Sequence, residues 1–299
     1  MLIKRNKNIL VAVSGGPDSM LLLNLLLKKY NNKKIYVATI NYNFRDNSNK
    51  DVEIVREFCN KKNISLFVKN IFYKEDLNYK IGNFENQARN DRYDFFRKIY
   101  FENNIDCLFL AHHKDDFLET FTIQKESNRK PLFYGIKTKS FYKEMLICRP
   151  FIKKYFKNQI MQICAKKNID FALDYTNYQT IFTRNITRVN YLDKLDKEKN
   201  KLIKIIKKKN KINIKTQKKI DKEYLIWERT SFDQNVFVNL FFKKNLIFKL
   251  LNTKFTNLKI SSKKIVSIIQ FIESQNRTSN YKIDNKNYLY KVKGKLIFN

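Results

Sequence analysis

Short apolar runs alternate with longer amphipathic stretches through the first half of the chain. Asn8 to Val13 is a β-rich run ending in a Gly-Gly turn, and Ser19 to Tyr30 is a leucine-rich segment of helical length. Ile35 to Ile40 reads as a second strand, Asn49 to Lys62 as a helix and Ile64 to Val68 as a third strand. Glu85 to Phe101 is helical, Cys107 to Ala111 a fourth strand, Asp115 to Gln124 helical again, and Met145 to Cys148 a fifth strand. Strands that alternate with helices in this way predict an α/β fold: a Rossmann-like parallel sheet covered on both faces, with right-handed crossovers.

The texture changes after about Arg188. Asp193 to Lys222 is dominated by Lys, Ile and Asn, with Ile203, Ile206 and later apolar residues at roughly helical spacing. Asn235 to Leu251 and Lys263 to Glu273 are further helix candidates, and Tyr281 to Phe298 alternates like a hairpin around Lys293-Gly294. The pattern predicts two domains, 1–190 and a mostly helical 191–299. Neither an internal repeat nor a Pro/Gly/Ser linker marks the boundary.

Composition sharpens this picture. The 299 residues are 43 % apolar, enough for a substantial core, which excludes global disorder. Lys and Arg number 61 against 28 Asp and Glu, a net charge of +33. Such an excess suits a polyanionic partner, because neutralising phosphates releases counterions. An A+T-biased coding sequence would also enrich Lys, Asn, Ile, Phe and Tyr, so charge alone names no partner. None of Cys59, Cys107, Cys148 and Cys164 forms a CxxC pair, which argues against a zinc ribbon or thioredoxin-type motif. No apolar run reaches the roughly 18–20 residues that span a bilayer, and no signal peptide is evident. A reduced, cytoplasmic enzyme without a membrane partner is expected.

Chemistry enters with Val11-Ala12-Val13-Ser14-Gly15-Gly16-Pro17-Asp18-Ser19, which follows a strand and opens a helix. Gly15 and Gly16 let backbone N–H groups approach an anion closely. Ser14 and Ser19 add hydroxyls, and the helix N-terminus adds the positive end of its dipole. This is a phosphate cradle, but GxxxxGK[ST] is absent, so it is not a Walker A loop. Asp18 would repel an anion unless it holds Mg²⁺ or a cationic group; helix capping is its plainer role.

Three further strings carry polar groups. In Ala111-His112-His113-Lys114-Asp115-Asp116-Phe117-Leu118-Glu119-Thr120, a helix would place His112, Asp115, Asp116 and Glu119 on one face. That spacing suits a site, although a helix dipole also favours an acidic start. Metal ligation by His112 and the carboxylates stays open, but this is not the HExxH pattern. The second string is Glu85-Asn86-Gln87-Ala88-Arg89-Asn90-Asp91-Arg92-Tyr93, in which Glu85 and Arg89 have the spacing of a solvated ion pair. The third string is Asp174-Tyr175-Thr176-Asn177 with Phe182-Thr183-Arg184-Asn185-Ile186-Thr187-Arg188.

SGGPDS resembles the PP-loop of N-type ATP pyrophosphatases, and the other strings narrow the resemblance to the tRNA(Ile)-lysidine synthetase family. Its AHHxDDxxET, E-x-x-AR-x-x-RY and D-x-[ST]-N…[FY]-x-RNxxR motifs are similar to the stretches above, and Arg149-Pro150-Phe151 is similar to its RPL segment. The resemblance covers roughly residues 8–190. It implies that ATP lies on Ser14, Gly15, Gly16, Pro17, Asp18 and Ser19 and is split to AMP and pyrophosphate with Mg²⁺, for which Asp18 is the candidate ligand. It implies that Asp116 and Glu119, with Arg184, hold the substrate L-lysine. Arg89 and Arg92 would stabilise charge, His113 or a carboxylate would accept a proton, and Arg45 and Arg188 would meet RNA. The partner implied is an isoleucine tRNA with a CAU anticodon, whose cytidine 34 is adenylated and then joined to lysine, converting AUG reading to AUA. A homodimer is compatible with the sequence.

The chain departs from the family at Tyr42-Asn43-Phe44-Arg45, where a His often precedes Gly-Leu-Arg. Gln124 to Lys130 replaces a glycine-rich stretch, and a far C-terminal domain of longer relatives has no counterpart. Two rivals stay open. One is a PP-loop tRNA thiolase, which the missing CxxC weakens. The other is a non-catalytic RNA-binding module, which the intact SGGPDS weakens.

Overall fold

The computed structural model describes residues 6–43, 48–72, 84–127, 131–172, 195–255, 258 and 260–298. They separate into two compact units, divided between Lys207 and Lys208.

The first unit is built on a six-stranded sheet. Its elements are β1 (Ile9–Ala12), α1 (Pro17–Leu27), β2 (Ile35–Asn41), α2 (Ser48–Lys61), β3 (Ser65–Asn70) and α3 (Phe84–Glu102). They continue with β4 (Cys107–Phe109), α4 (Lys114–Glu126), β5 (Lys139–Tyr142), β6 (Met145–Cys148), a 3₁₀ turn at Pro150–Lys153, and α5 (Lys157–Lys166). The strand order is β3-β2-β1-β4-β6-β5. All neighbours are parallel except β5 against β6.

Alternation along β1 covers both faces of the sheet. Ile9 and Val11 join the leucines of α1, Val55 and Cys59 of α2, and Ile160 and Cys164 of α5. Leu10 faces the other way, among Tyr93, Phe96, Ile99 and Tyr100 of α3. The strand order reverses direction between β1 and β4. In open α/β sheets the crevice at the C-terminal strand ends of such a switch point is where ligands bind.

The β5–β6 hairpin goes beyond the single fifth strand expected there. Its turn residues, Lys143 and Glu144, both adopt positive φ without a Gly or Asn to signal it. A third cluster holds the helix after β4 in place: Phe117, Leu118 and Phe121 of α4 pack with Ile152, Phe156, Ile203 and Ile206.

A long helix, α6 (Asp196–Arg229), carries the lysine-rich stretch into the second unit. There it is followed by α7 (Gln234–Val238), α8 (Lys243–Lys254), α9 (Ser262–Glu273) and a sheet of β7 (Ser279–Lys282), β8 (Tyr288–Val292) and β9 (Lys295–Phe298). The expected single helix over Asn235 to Leu251 is two helices. The break lies at Leu240 to Phe242, where the Phe241 and Phe242 N–H groups both donate to the Glu223 carboxylate. The hairpin at Lys293-Gly294 is present, with both residues at positive φ, and β7 extends it to three antiparallel strands.

The core of the second unit is aromatic. Trp227 is fully buried, 4.6 Å from Phe237 and 5.1 Å from Phe232 between ring centroids, and its indole N–H donates to the Asp233 carbonyl. Lys291 is also fully buried, and its ammonium caps the end of α9 by donating to Phe271 O and to Ser274 O and Oγ. Among the described residues no helix is long and apolar enough to cross a membrane.

Candidate active site

The phosphate loop leaves β1 and enters α1 with no side-chain cap. Gly16 is the N-cap residue and Pro17 takes the first turn, where its missing N–H costs nothing. With no side-chain cap among the described residues, the first N–H groups of α1 are available to an anion. The loop is held from inside: the Ser14 N–H donates to Ser19 Oγ at 3.1 Å, and Ser19 Oγ donates to the Gly16 carbonyl at 3.0 Å. Gly15 has φ +82°, and a Cβ there would lie 2.7 Å from the Asp51 carbonyl oxygen. Conformation and space both demand glycine at this position.

Asp18, in the first turn of α1, meets its cation. Lys157 Nζ donates to Asp18 Oδ2 at 2.7 Å. The other oxygen, Oδ1, is buried, accepts no hydrogen bond among the described residues, and lies 3.9 Å from His113 Nε2.

The start of α4 faces this carboxylate. His113 is the N-cap residue: its Nδ1 accepts the Asp115 N–H at 3.2 Å, and its own N–H donates to Asp116 Oδ2 at 2.7 Å. Because the helix begins at Lys114, His112 precedes it, and the single helical face expected to carry His112 with the carboxylates does not form. Asp115, Asp116 and Glu119 do lie on α4, with Glu119 buried one turn further on. Asp115 is pinned by the Lys157 N–H at 2.8 Å and by Lys199 Nζ of α6 at 3.0 Å. Lys157 thus ties the phosphate loop to the acidic helix start, through Asp18 with its side chain and Asp115 with its backbone.

Charge follows this geometry. Burial disfavours the His113 imidazolium, but the carboxylates of Asp116, Asp115 and Asp18 outweigh it and raise its pKa above the ordinary value. Burial works against Asp115 as a carboxylate too, yet His113, the Lys157 N–H and Lys199 hold its carboxyl below the usual range. His112 goes the other way. Burial, aided by the charges of Arg149, His113 and Arg92 against that of Asp116, lowers its pKa to about 4.

Not every expected residue gathers here. The Arg89 guanidinium lies over the rings of Tyr93 and Tyr142, at 5.0 and 5.7 Å from their centroids. Arg92 is exposed, but its charge reaches His112 and Tyr42. At the departure from the family pattern, the Tyr42 hydroxyl donates to the Ala88 carbonyl of α3 at 3.3 Å. Arg45, Arg184 and Arg188 lie outside the described residues, as do Asp174 to Asn177. Lys157 and Lys199 belong to the site without having been singled out, since nothing distinguishes them locally in so lysine-rich a chain.

No group of three or more His, Cys, Asp or Glu side chains able to hold a metal gathers among the described residues. Mg²⁺ needs less, since it is commonly held by one or two carboxylates together with substrate phosphates. The buried, unbonded Oδ1 of Asp18 beside the phosphate loop fits that requirement.

A phosphate loop of this form, at the switch point of this sheet, defines a PP-loop ATP-utilising enzyme, and a PP-loop domain family model matches residues 2–195. The tRNA(Ile)-lysidine synthase of Mycoplasmopsis pulmonis is 42 % identical over 95 % of this chain and 96 % of its own length. That of Malacoplasma penetrans is 37 % identical over 95 % of this chain and 98 % of its own. The chain belongs to the tRNA(Ile)-lysidine synthase family. Among solved structures, the U34-tRNA thiolase NcsA from Methanococcus maripaludis, with its [4Fe-4S] cluster, superposes with a TM-score of 0.58. It is 15 % identical and covers 70 % of this chain and 73 % of its own, a likeness of fold alone.

Proposed function

We propose that this protein joins L-lysine to C2 of cytidine 34 in the CAU anticodon of an isoleucine tRNA, using ATP and releasing AMP and pyrophosphate. The observation that carries the reading is the Lys157 bridge, which sets an uncapped phosphate loop beside the acidic start of α4. One half suits a nucleotide and the other an ammonium substrate, and the reaction needs the two side by side.

In this reading the loop Ser14–Ser19 holds the ATP phosphates, and Asp18 would hold Mg²⁺ beside them. Bound there, Mg²⁺ would supply positive charge against the departing pyrophosphate. The cytosine O2 lone pair attacks the α-phosphorus and pyrophosphate leaves. The ε-amine of lysine, having lost a proton, attacks C2, and the C2–O bond breaks to release AMP.

Asp116 and Glu119 hold the lysine through charge-assisted hydrogen bonds, with Arg184 as their partner. His113 accepts the amine proton; its raised pKa matches an acceptor working near neutrality. Arg92 supplies positive charge to the site, while Arg89 braces the β5–β6 hairpin against α3, lying over Tyr93 of α3 and Tyr142 of β5. The strongly basic second unit binds the tRNA backbone, with Arg45 and Arg188 as further RNA contacts, and the enzyme works in the cytoplasm.

The test is pyrophosphate release and labelled-lysine incorporation with ATP, Mg²⁺ and an isoleucine tRNA transcript bearing CAU. Lysine incorporation that disappears when C34 is replaced by U supports the reading. Pyrophosphate release without lysine incorporation sinks it and points to a different acceptor.

A further inference from the structure

Two buried polar atoms next to this site have no hydrogen-bond partner among the described residues: Nδ1 of His112 and Nε of Arg149. They follow adjacent parallel strands. β4 pairs with β6 through Leu108↔Ile147 and Phe109↔Cys148, the Leu110 N–H donates to the Cys148 carbonyl, and Arg149 comes next in the chain. Both therefore sit at the C-terminal strand ends, on the β4–β6 side of the phosphate loop. They are near enough that the Arg149 charge helps depress the His112 pKa, and the Asp116 carboxylate acts on the same ring.

Arg149 is held in place. Only 8 % of it is exposed, and its Nη1 donates to Lys137 O at 3.1 Å and to Ser140 Oγ at 2.8 Å. Those bonds anchor one branch of the guanidinium and leave the Nε–H unused. Natural interiors rarely leave such groups unpaired, because an unmade bond in a desolvated place costs more than the bond would contribute. Beside a site, the missing partner is most simply the substrate.

We propose that His112 and Arg149 read the base edge of the target nucleotide and select cytosine over uracil. This rests on the lysidine reading above and adds to it a specificity determinant for the nucleobase. Arg149 Nε–H can only donate, so it demands an acceptor, which cytosine offers at N3. Neutral His112, with its proton on Nε2, offers the Nδ1 lone pair to the exocyclic N4 amine. O2 is left free to attack ATP. Uracil reverses both positions: its N3–H confronts the guanidinium N–H, and its O4 confronts the imidazole lone pair. Imidazole can relieve the second clash by moving its proton, but a guanidinium cannot relieve the first. O2 is common to both bases and carries no discrimination.

The experiment measures kcat/KM for ATP-dependent pyrophosphate release with C34 and U34 transcripts, and the KM for ATP, in wild-type, Arg149→Gln and Arg149→Lys enzymes. Arg149→Gln, whose amide can donate or accept, is expected to narrow the C34-to-U34 ratio by about 10- to 100-fold while the KM for ATP changes by less than about threefold. Arg149→Lys, again able only to donate, is expected to keep most of the ratio. A ratio of two kcat/KM values does not depend on how much of the enzyme is folded, so a loss of stability in either variant leaves it unmoved. An unchanged ratio in Arg149→Gln overturns the proposal. So does a loss that appears in the KM for ATP instead, which would assign the pocket to the nucleotide. A wild-type enzyme that puts no lysine on C34 overturns the lysidine reading itself, and is distinguishable because it appears before any variant is made.

Discussion

At the scale of single residues, the site is governed by who neutralises whom. Asp115 and Lys199 form a largely buried pair, and removing one partner strands the other. Asp115→Ala is expected to cost about 3–5 kcal/mol of stability at neutral pH, measured by denaturant unfolding. The sign of its pH dependence follows from the lowered carboxyl pKa. The contribution is complete above the unfolded carboxylate value and is lost as pH falls through the folded one. The gap between wild type and variant should therefore shrink below about pH 4. His113 has the opposite shift. If it accepts the lysine proton, kcat/KM for lysine should rise with pH through a pKa above the ordinary imidazole value, and His113→Gln should abolish that acid limb. An unchanged limb in the variant would assign the proton to a carboxylate.

At the scale of elements, the phosphate loop is the least replaceable piece. Gly15→Ala forces a left-handed φ on a residue with a Cβ and drives that Cβ against the Asp51 backbone. A loss of about 1–3 kcal/mol in thermal unfolding is expected, with the KM for ATP raised more than about 10-fold. A loss of stability with unaltered KM would show that the loop does not carry the nucleotide. Element boundaries show where local pattern is enough. Helices predicted at Asn49 to Lys62 and Glu85 to Phe101 appear as Ser48–Lys61 and Phe84–Glu102, because amphipathic spacing fixes the buried face. The β5 strand and α5 escape the sequence pattern. A turn made by Lys143 and Glu144 carries none of the usual turn residues, and α5 opens on a lysine in a lysine-rich chain. Asn235 to Leu251 reads as one helix from its own pattern because the Glu223 carboxylate that interrupts it comes from another element.

At the scale of the whole molecule, charge is the dominant fact. Lys208 to Asn299 alone holds 21 basic and six acidic side chains. If this excess serves tRNA, affinity for the transcript should fall at least about 10-fold between roughly 50 and 200 mM KCl, while the KM for ATP stays within about twofold. A flat salt response, measured by filter binding, would leave the lysines as a product of compositional drift.

The chain's local pattern was sufficient for the alternating α/β class, the phosphate loop and the acidic string after β4, because each depends on residues close in sequence. Glycine conformations, helix dipoles and strand periodicity act over a few residues and leave their mark there. Folding was needed to bring Lys157 onto Asp18, 139 residues away, and Lys199 onto Asp115, 84 residues away. It also set His112 ahead of the helix rather than on its face, and placed Arg89 over the rings of Tyr93 and Tyr142. Such pairings depend on strand order and helix packing, which bring distant side chains together, and no local window of sequence carries that information.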